Sequence, residues 1–554
     1  MASNSNTVVI VGGGLAGVRS ALEQSRVGKK VYLIEKCPSI ASEKIVGNGN
    51  LAADAPFSAA DLAELRKDSN IVVITNADVK DIAEKDGRFK LTIGKRPSRV
   101  IAEKCDNCQA CIKVCPVSLF DDYNQGLSVR TAIDFYTPET ATYSIFKEDS
   151  PICQQTCPVH LDIRGYVGLI AGGKFKEALD LIRQRLPFPA VCGRICPHPC
   201  EQQCNRGMLD EPVAIRVLRR FVCDYEMKAS TKPRMAKQSA HKDKVAIIGA
   251  GPAGLACAHD LAELGFQVTV FESLPVVGGM LYVGIPAYRL PKDILQMETR
   301  AIEELGVEIK TNTSIGKDLT IDDLLHQGFK AVFIAVGAHQ SRKLGVRGEE
   351  ATGVIHGVDF LRDLNLGRPV KAGDKVAVIG GGNVAVDAAR SAVRLGAKKV
   401  FILYRRSRQE MLASKEEIEA AEAEGIEIQY LVAPAEVITS NGKVKALRCT
   451  RMKLGEPDAS GRRQPIPIEG SEFDIELDMV IPAIGQTTDF SFLGKDSGIE
   501  TSRGTLVVDP MTLATTRAGV FAGGDAVTGP ATAIEAVASG RMVAVAISQY
   551  LERK

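Results

Sequence analysis

At 554 residues the chain is too long for one hydrophobic core, and roughly three to five domains are expected. Its 45% hydrophobic and 25% charged residues are ordinary for a globular protein, and a net charge of +2 without a basic, aromatic-laced run argues against nucleic acid. No stretch approaches ~18 uninterrupted apolar residues, so no membrane span is expected, and the start MASNSNTVVIVGGG reads as a strand before glycines rather than a signal peptide.

Residues 1–100 predict a partial Rossmann-like domain. TVVIVGGG, LAGVRSALEQSRVG and KVYLIEK read strand, glycine turn with helix, strand. Gly12, Gly14 and Gly17 fall in G-x-G-x-x-G, and Glu35 ends the second strand. No Gly-Gly-Asp segment follows to complete the domain. Two readings stand: a second flavin site finished by another segment, or a packing remnant.

Residues 101–130 form a ferredoxin-type segment. CDNCQACIKVCP spaces Cys105, Cys108, Cys111 and Cys115 as C-x2-C-x2-C-x3-C-P, which suits one [4Fe–4S] cluster. A zinc site would need its C-x2-C pairs further apart.

Residues 131–230 predict a helical iron–sulfur domain, with apolar residues at three- and four-residue steps in YVGLIAGGKFKEALDLIRQRL. Cys153, Cys157, Cys192, Cys196, Cys200 and Cys204 recur largely at x3 spacing, about one helical turn apart. Six thiols fill one cubane and leave two over. A second cubane would need non-cysteine ligands or Cys223, and the plain alternative for the surplus is buried packing. Two or three clusters are therefore expected in the chain. Ten of the fourteen cysteines lie between Cys105 and Cys204. That is metal-site usage in a reducing compartment, so a cytoplasmic placement is expected. Cys37, Cys257 and Cys449 read as structural.

A polar linker over 226–244 leads into residues 241–345, the first part of an FAD-binding domain. VAIIGAGPAGLACAHDLAELGFQVTVFES places Gly249, Gly251 and Gly254 between strand and helix, with Glu272 ending the next strand. The first glycine makes the tight turn, the second admits a pyrophosphate, and the third packs helix on strand. Residues 346–480 predict an NAD(P)H-binding domain, with Gly380, Gly382 and Ala385 in G-x-G-x-x-A. Its second strand ends at Tyr404 and is followed by Arg405, Arg406 and Arg408 where an NAD site carries a carboxylate. Guanidinium groups suit a 2′-phosphate, so NADP(H) is preferred and NAD(H) stays open. Residues 481–554 return to the FAD domain, where VFAGGDA sets Asp525 to hold a ribityl hydroxyl ahead of a helix.

From Cys153 to the C-terminus the chain resembles the glutamate synthase small-subunit family, the electron-input module also built into dihydropyrimidine dehydrogenase. LPFPAVCGRICPHPCEQQC, GAGPAGLACAHDL, GGMLYVGIPAYRLPK, YRRSRQEML and GVFAGGDAVTGPATAIEAVASGR carry the resemblance. It implies FAD contacts from Gly249, Gly251, Gly254, Glu272, Arg289 and Asp525, and NADP(H) contacts from Gly380, Gly382, Asn383, Arg405 and Arg406. The chain departs from that family in two places. A C-x2-C ahead of Cys153 is replaced by TYSIFKEDSP, and a carboxylate or amide ligand falls near Arg219, which cannot ligate. Residues 1–130 are similar instead to the start of the flavin subunit of heterodisulfide reductase, with the second half of its flavin domain missing.

The expected fold is α/β: a Rossmann-like FAD domain interrupted by an NAD(P) domain, preceded by a helical iron–sulfur domain and the N-terminal unit. The expected function is electron transfer between NAD(P)H and an electron-accepting or catalytic protein subunit. Flavin and clusters do the chemistry, so no side chain is assigned as a catalytic acid or base. His160 and His198 read as supporting residues beside cysteines. A glutamate synthase small subunit proper and a non-catalytic scaffold are the alternatives. A thioredoxin-reductase-like enzyme is disfavoured, because no C-x2-C lies beside either flavin motif.

Overall fold

Short apolar strands alternating with amphipathic helices build three parallel sheets, seen here in a computed structural model. The structure describes residues 7–36, 40, 63–65, 67–85, 88–95, 104, 105, 108, 110–115, 118–120, 129–131, 133, 135–137, 142–144, 151–229, 243–458, 461–494 and 497–552. Cys37 lies outside them. The chain divides into two units, Met1–Pro151 and Ile152–Lys554.

In the first unit, β1 (Thr7–Val11), β2 (Lys30–Ile34) and β3 (Ile71–Ile74) pair in parallel in that order, with α1 (Leu15–Arg26) packed on them. Val18, Ala21, Leu22, Val31 and Leu33 make its small core. A hairpin of β4 (Ala77–Lys85) and β5 (Arg88–Lys95) follows. Within the helical domain expected from 131, the first helix among the described residues is Ile152–Thr156. The described residues before it, Phe135–Thr137 and Thr142–Ser144, are strands, as their aromatic and β-branched residues favour.

The second unit opens on short helices: α2 (Ile163–Ala171), α3 (Phe175–Arg183), α4 (Pro189–Ile195) and α5 (Ile215–Lys228). Asp162 caps α2 by accepting from the Gly165 N–H at 3.0 Å. Gly193 lets α4 approach α5, since a Cβ there would stand 3.0 Å from the Arg220 Cα. The larger sheet runs β8–β7–β6–β9–β14, all parallel: β6 (Lys244–Ile248), β7 (Gln267–Phe271), β8 (Glu308–Lys310), β9 (Phe329–Ile334) and β14 (Val520–Ala522). Between β9 and β14 in sequence stands the inserted sheet β12–β11–β10–β13: β10 (Lys375–Ile379), β11 (Lys399–Tyr404), β12 (Glu427–Tyr430) and β13 (Met479–Pro482). Strand β14 closes the outer sheet only after the whole insertion. The interrupted arrangement expected from the sequence is the one observed.

Candidate cofactor sites

At the end of β6 the chain turns into α6 (Pro252–Glu263). Gly249 has φ +107°, and a Cβ there would meet the Ala335 carbonyl at 2.5 Å. Gly254 packs helix on turn, since its Cβ would lie 2.0 Å from the Gly249 carbonyl. Gly251 differs: nothing stands within 4 Å of a Cβ, so its backbone faces open space. Glu272 closes the turn from below, accepting from the Ala250 and Leu274 N–H groups, each at 2.8 Å. Burial pushes its carboxyl up, and those bonds pull it back.

The far end of the chain meets this turn. Gly524 donates to the Ser539 hydroxyl at 2.9 Å, and Gly540 on α10 (Ala533–Glu552) packs tightly on Ala253, where a Cβ would lie 2.0 Å from the Ala253 carbonyl. Asp525 is thereby held over the turn, and burial raises its carboxyl to about 6. A cavity of about 670 Å3 opens here, walled by Gly251, Glu272, Arg289 and Asp525. Its size and polar placement are those of a cofactor cleft. Open backbone at Gly251, a helix N-terminus and two flanking carboxylates fit FAD. His339 also lines the cavity, and burial lowers it to about 4, so it stays neutral near pH 7.

The inserted sheet repeats the device. Gly380 has φ +149° with the Ala483 carbonyl 2.4 Å from its would-be Cβ, Gly381 abuts the Tyr404 ring, and Gly382 faces open space ahead of α8 (Asn383–Arg394). This fits a dinucleotide pyrophosphate. The two arginines beyond β11 separate. Arg405 is exposed. Arg406 is buried, donating from Nε to the Arg463 carbonyl at 2.8 Å and pairing with Asp458 at 2.6 Å. Arg408 is exposed and pairs with Glu422 at 2.5 Å, so Arg405 is the exposed arginine of the cluster with no ion pair among the described residues.

Arg289 reaches the cavity wall but spends its charge on the inserted domain, at 2.6 Å from Asp387 on α8 and 3.0 Å from Glu417 on α9 (Lys415–Ala423). Asp387 is buried, its Oδ1 has no partner, and burial raises it to about 7. Neither Asp387 nor Glu298 was singled out by sequence reasoning. Asp387 is the one acid of its helix, and Glu298 falls at helical spacing from Ile294, Leu295 and Ile302, which is the only local signal either gives. Glu298, on α7 (Lys292–Glu304), is buried and accepts from the Ala190 and Val191 N–H groups at 2.7 and 2.9 Å. It thus caps α4, the helix that carries Cys192.

The six cysteines of the second unit sort by burial. Cys157, Cys192, Cys196 and Cys200 are buried, whereas Cys153 and Cys204 are half-buried. Burial raises the Cys200 thiol to about 12 and the Cys192 thiol well above its ordinary value. No three of the described thiols lie within 4.8 Å of one another. The four buried thiols are the soft donors that an iron–sulfur cluster takes. Cys196 also lines the flavin cavity. Cys223, Cys257 and Cys449 are buried free thiols. His160 and His198 bond backbone carbonyls of Gln154 and Cys196. In the first unit Gly13 donates to Glu35, Gly17 packs against the Gly12 carbonyl, and Gly14 precedes α1. Cys108 is exposed, and Cys105, Cys111 and Cys115 are half-buried.

Comparison with known proteins places these sites in context. The pyridine nucleotide-disulphide oxidoreductase profile matches residues 2–132 and 243–540. The profile of dihydropyrimidine dehydrogenase domain II, 4Fe-4S cluster, matches residues 145–231. The beta subunit of an NADP(+)-dependent formate dehydrogenase from Moorella thermoacetica is 52% identical over 72% of this chain and 60% of its own length. The NADPH-Fe(3+) oxidoreductase beta subunit of Geobacter sulfurreducens is 45% identical over 72% and 63%. The alignment thus spans less than two thirds of these two relatives. The glutamate synthase [NADPH] small chain of Escherichia coli is 36% identical over 73% of this chain and 89% of its own. Among solved structures, FprA from Mycobacterium tuberculosis shares the fold at TM-score 0.50 and 19% identity, covering 56% of this chain and 85% of that one. No helix among the described residues is long and apolar enough to cross a membrane.

Proposed function

The chain belongs to the pyridine nucleotide-disulphide oxidoreductase family, and on that footing we propose that it is the NADPH-handling subunit of a redox complex. It moves electrons between NADPH and a partner protein through FAD and [4Fe–4S] centres. The observation that carries this reading is the single cavity. Its wall runs from Gly251 and Asp525, past Asn383 and Asp387 of the inserted domain, to Cys196 and Pro197 of the cysteine domain. Nucleotide entry and cluster exit thus open on one space.

FAD bound there would accept hydride from the nicotinamide and release its electrons singly. The protein's own part is positional. The Gly251 and Gly382 turns hold the two pyrophosphates, Glu272 and Asp525 orient the ribose and ribityl hydroxyls, and Arg405 selects the 2′-phosphate. The Cys157–Cys200 pocket supports one cubane, and the Cys105–Cys115 run a second. One FAD per chain is favoured, because β6 is central in its sheet, whereas among the described residues β1 has no strand on the side away from β2. The partner to test first is a formate-oxidising subunit, by likeness to the Moorella relative. Clustered free thiols favour the cytoplasm.

Anaerobic purification tests the whole. The chain is expected to carry FAD and more iron than one cubane holds, and its flavin absorbance to bleach with NADPH. A colourless chain that binds neither FAD nor NADPH after anaerobic reconstitution would leave the scaffold reading instead.

A further inference from the structure

Helix α5 turns one arginine inward among the cysteines. Arg219 is 3% exposed. Its Nη2 donates to the Cys192 carbonyl at 2.7 Å, and its Nε has no hydrogen-bond partner. It lies within electrostatic reach of Cys157, Cys192, Cys196 and Cys200. Neighbouring arginines meet carboxylates: Arg183 pairs with Glu226, Arg194 and Arg220 with Asp224, and Arg216 with Glu416. Among the described residues Arg219 pairs with none.

A buried guanidinium without a counter-charge is among the most costly arrangements a fold can contain. Protonated thiols offer none. Thiolates bound to iron do, because a cubane held by four of them is anionic, and each one-electron reduction makes it more so. A guanidinium has no lone pair to give to iron, so its part there can only be charge and hydrogen bonding. Net charge and hydrogen bonding to sulfur are the terms that set a cluster's potential.

The geometry points to Arg219 as the residue that tunes the [4Fe–4S] centre of the Cys157, Cys192, Cys196 and Cys200 pocket, its fixed positive charge favouring the reduced form and raising the reduction potential. This rests on the cofactor assignment proposed above. It also gives a physical role to the position where the resemblance implied a ligand. Electrons leaving the flavin cavity beside Cys196 would meet a centre made easier to reduce.

The test is an EPR-monitored redox titration of the full-length chain, in a Cys108→Ser background that silences the ferredoxin-type centre. Arg219→Gln is expected to shift the midpoint of the reduced-cluster signal to lower potential at unchanged iron content, with Arg219→Lys returning towards the parent. An unmoved midpoint in Arg219→Gln overturns the inference while leaving the cofactor assignment intact. If Arg219→Gln loses its iron, Arg219→Lys decides. Iron retained there with a midpoint near the parent's supports the charge role, and iron lost there too overturns it in favour of a packing role. A parent chain with no reducible centre in this pocket would remove the cofactor assignment and this inference together.

Discussion

Gly251 and Gly254 lie three residues apart in one turn and answer to different constraints. At Gly251 the backbone is extended, with φ −80°, and a side chain would enter open space. Gly251→Val should therefore fold like the parent yet lose FAD at least ~10-fold, about 1.4 kcal/mol or more of binding. Flavin absorbance read against an unchanged thermal transition checks this, and full flavin retention would sink the site. Gly254→Val should instead destabilise by about 1–3 kcal/mol, because its Cβ collides with backbone. Those roles were legible because a strand–turn–helix imposes them locally. The arginines were less so. Residues leaving a strand face opposite ways, and the partner that draws Arg406 inward, Asp458, is remote in sequence. Arg405→Ser should raise the KM for NADPH far more than for NADH, by about 1.5–3 kcal/mol. Arg406→Ser should chiefly lower stability. Equal effects of Arg405→Ser on both nucleotides would place that side chain away from the phosphate.

The two G-x-G-x-x-G turns are nearly interchangeable as sequence, and their sheets are not. Strand β6 has β7 on one side and β9 on the other, which is why Gly249 meets the Ala335 carbonyl. Among the described strands β1 has only β2 beside it; nothing lies within 4 Å of a Gly12 Cβ, and Val9 and Val11 are exposed. A motif reports its own strand–turn–helix and says nothing of the strands that must flank it. The same limit hid Glu298, whose partners sit on α4, about a hundred residues earlier. Burial raises Glu298 to about 7 against an ordinary 4.5, with the α4 N–H bonds opposing. The folded state then holds its proton more tightly than the unfolded one. Its stabilising contribution is complete below about 4.5 and is lost as pH rises towards 7. Glu298→Gln should cost about 1–3 kcal/mol near pH 5, and its deficit should shrink by pH 8. Thermal unfolding of both proteins across that range measures it, and parallel curves would mean that Glu298 does not titrate in the window.

Across the whole molecule, the interrupted domain was readable from the order of three local motifs, whereas the meeting of Cys196 with the flavin cavity was not. That cavity sets Ile195–Pro197 in one wall with Gly251 and Asp525, and no periodicity encodes it. It has a consequence for electron flow. Every residue lining the cavity belongs to the second unit, between Ile195 and Ala536. Electron entry should therefore not depend on the ferredoxin-type run of the first unit, where Cys108 is exposed. If that run is the exit towards the partner, Cys108→Ser should leave NADPH-driven flavin bleaching within about twofold of the parent, since Cys108 is not among the residues lining the cavity. Small dyes that take electrons directly from the flavin should still be reduced. Turnover with the partner protein should fall at least ~10-fold, a barrier increase of about 1.4 kcal/mol or more. Stopped-flow bleaching run beside partner-linked turnover separates entry from exit. Partner-linked turnover that survives Cys108→Ser would move the exit to the half-buried Cys153 and Cys204, and would make the first unit a docking element.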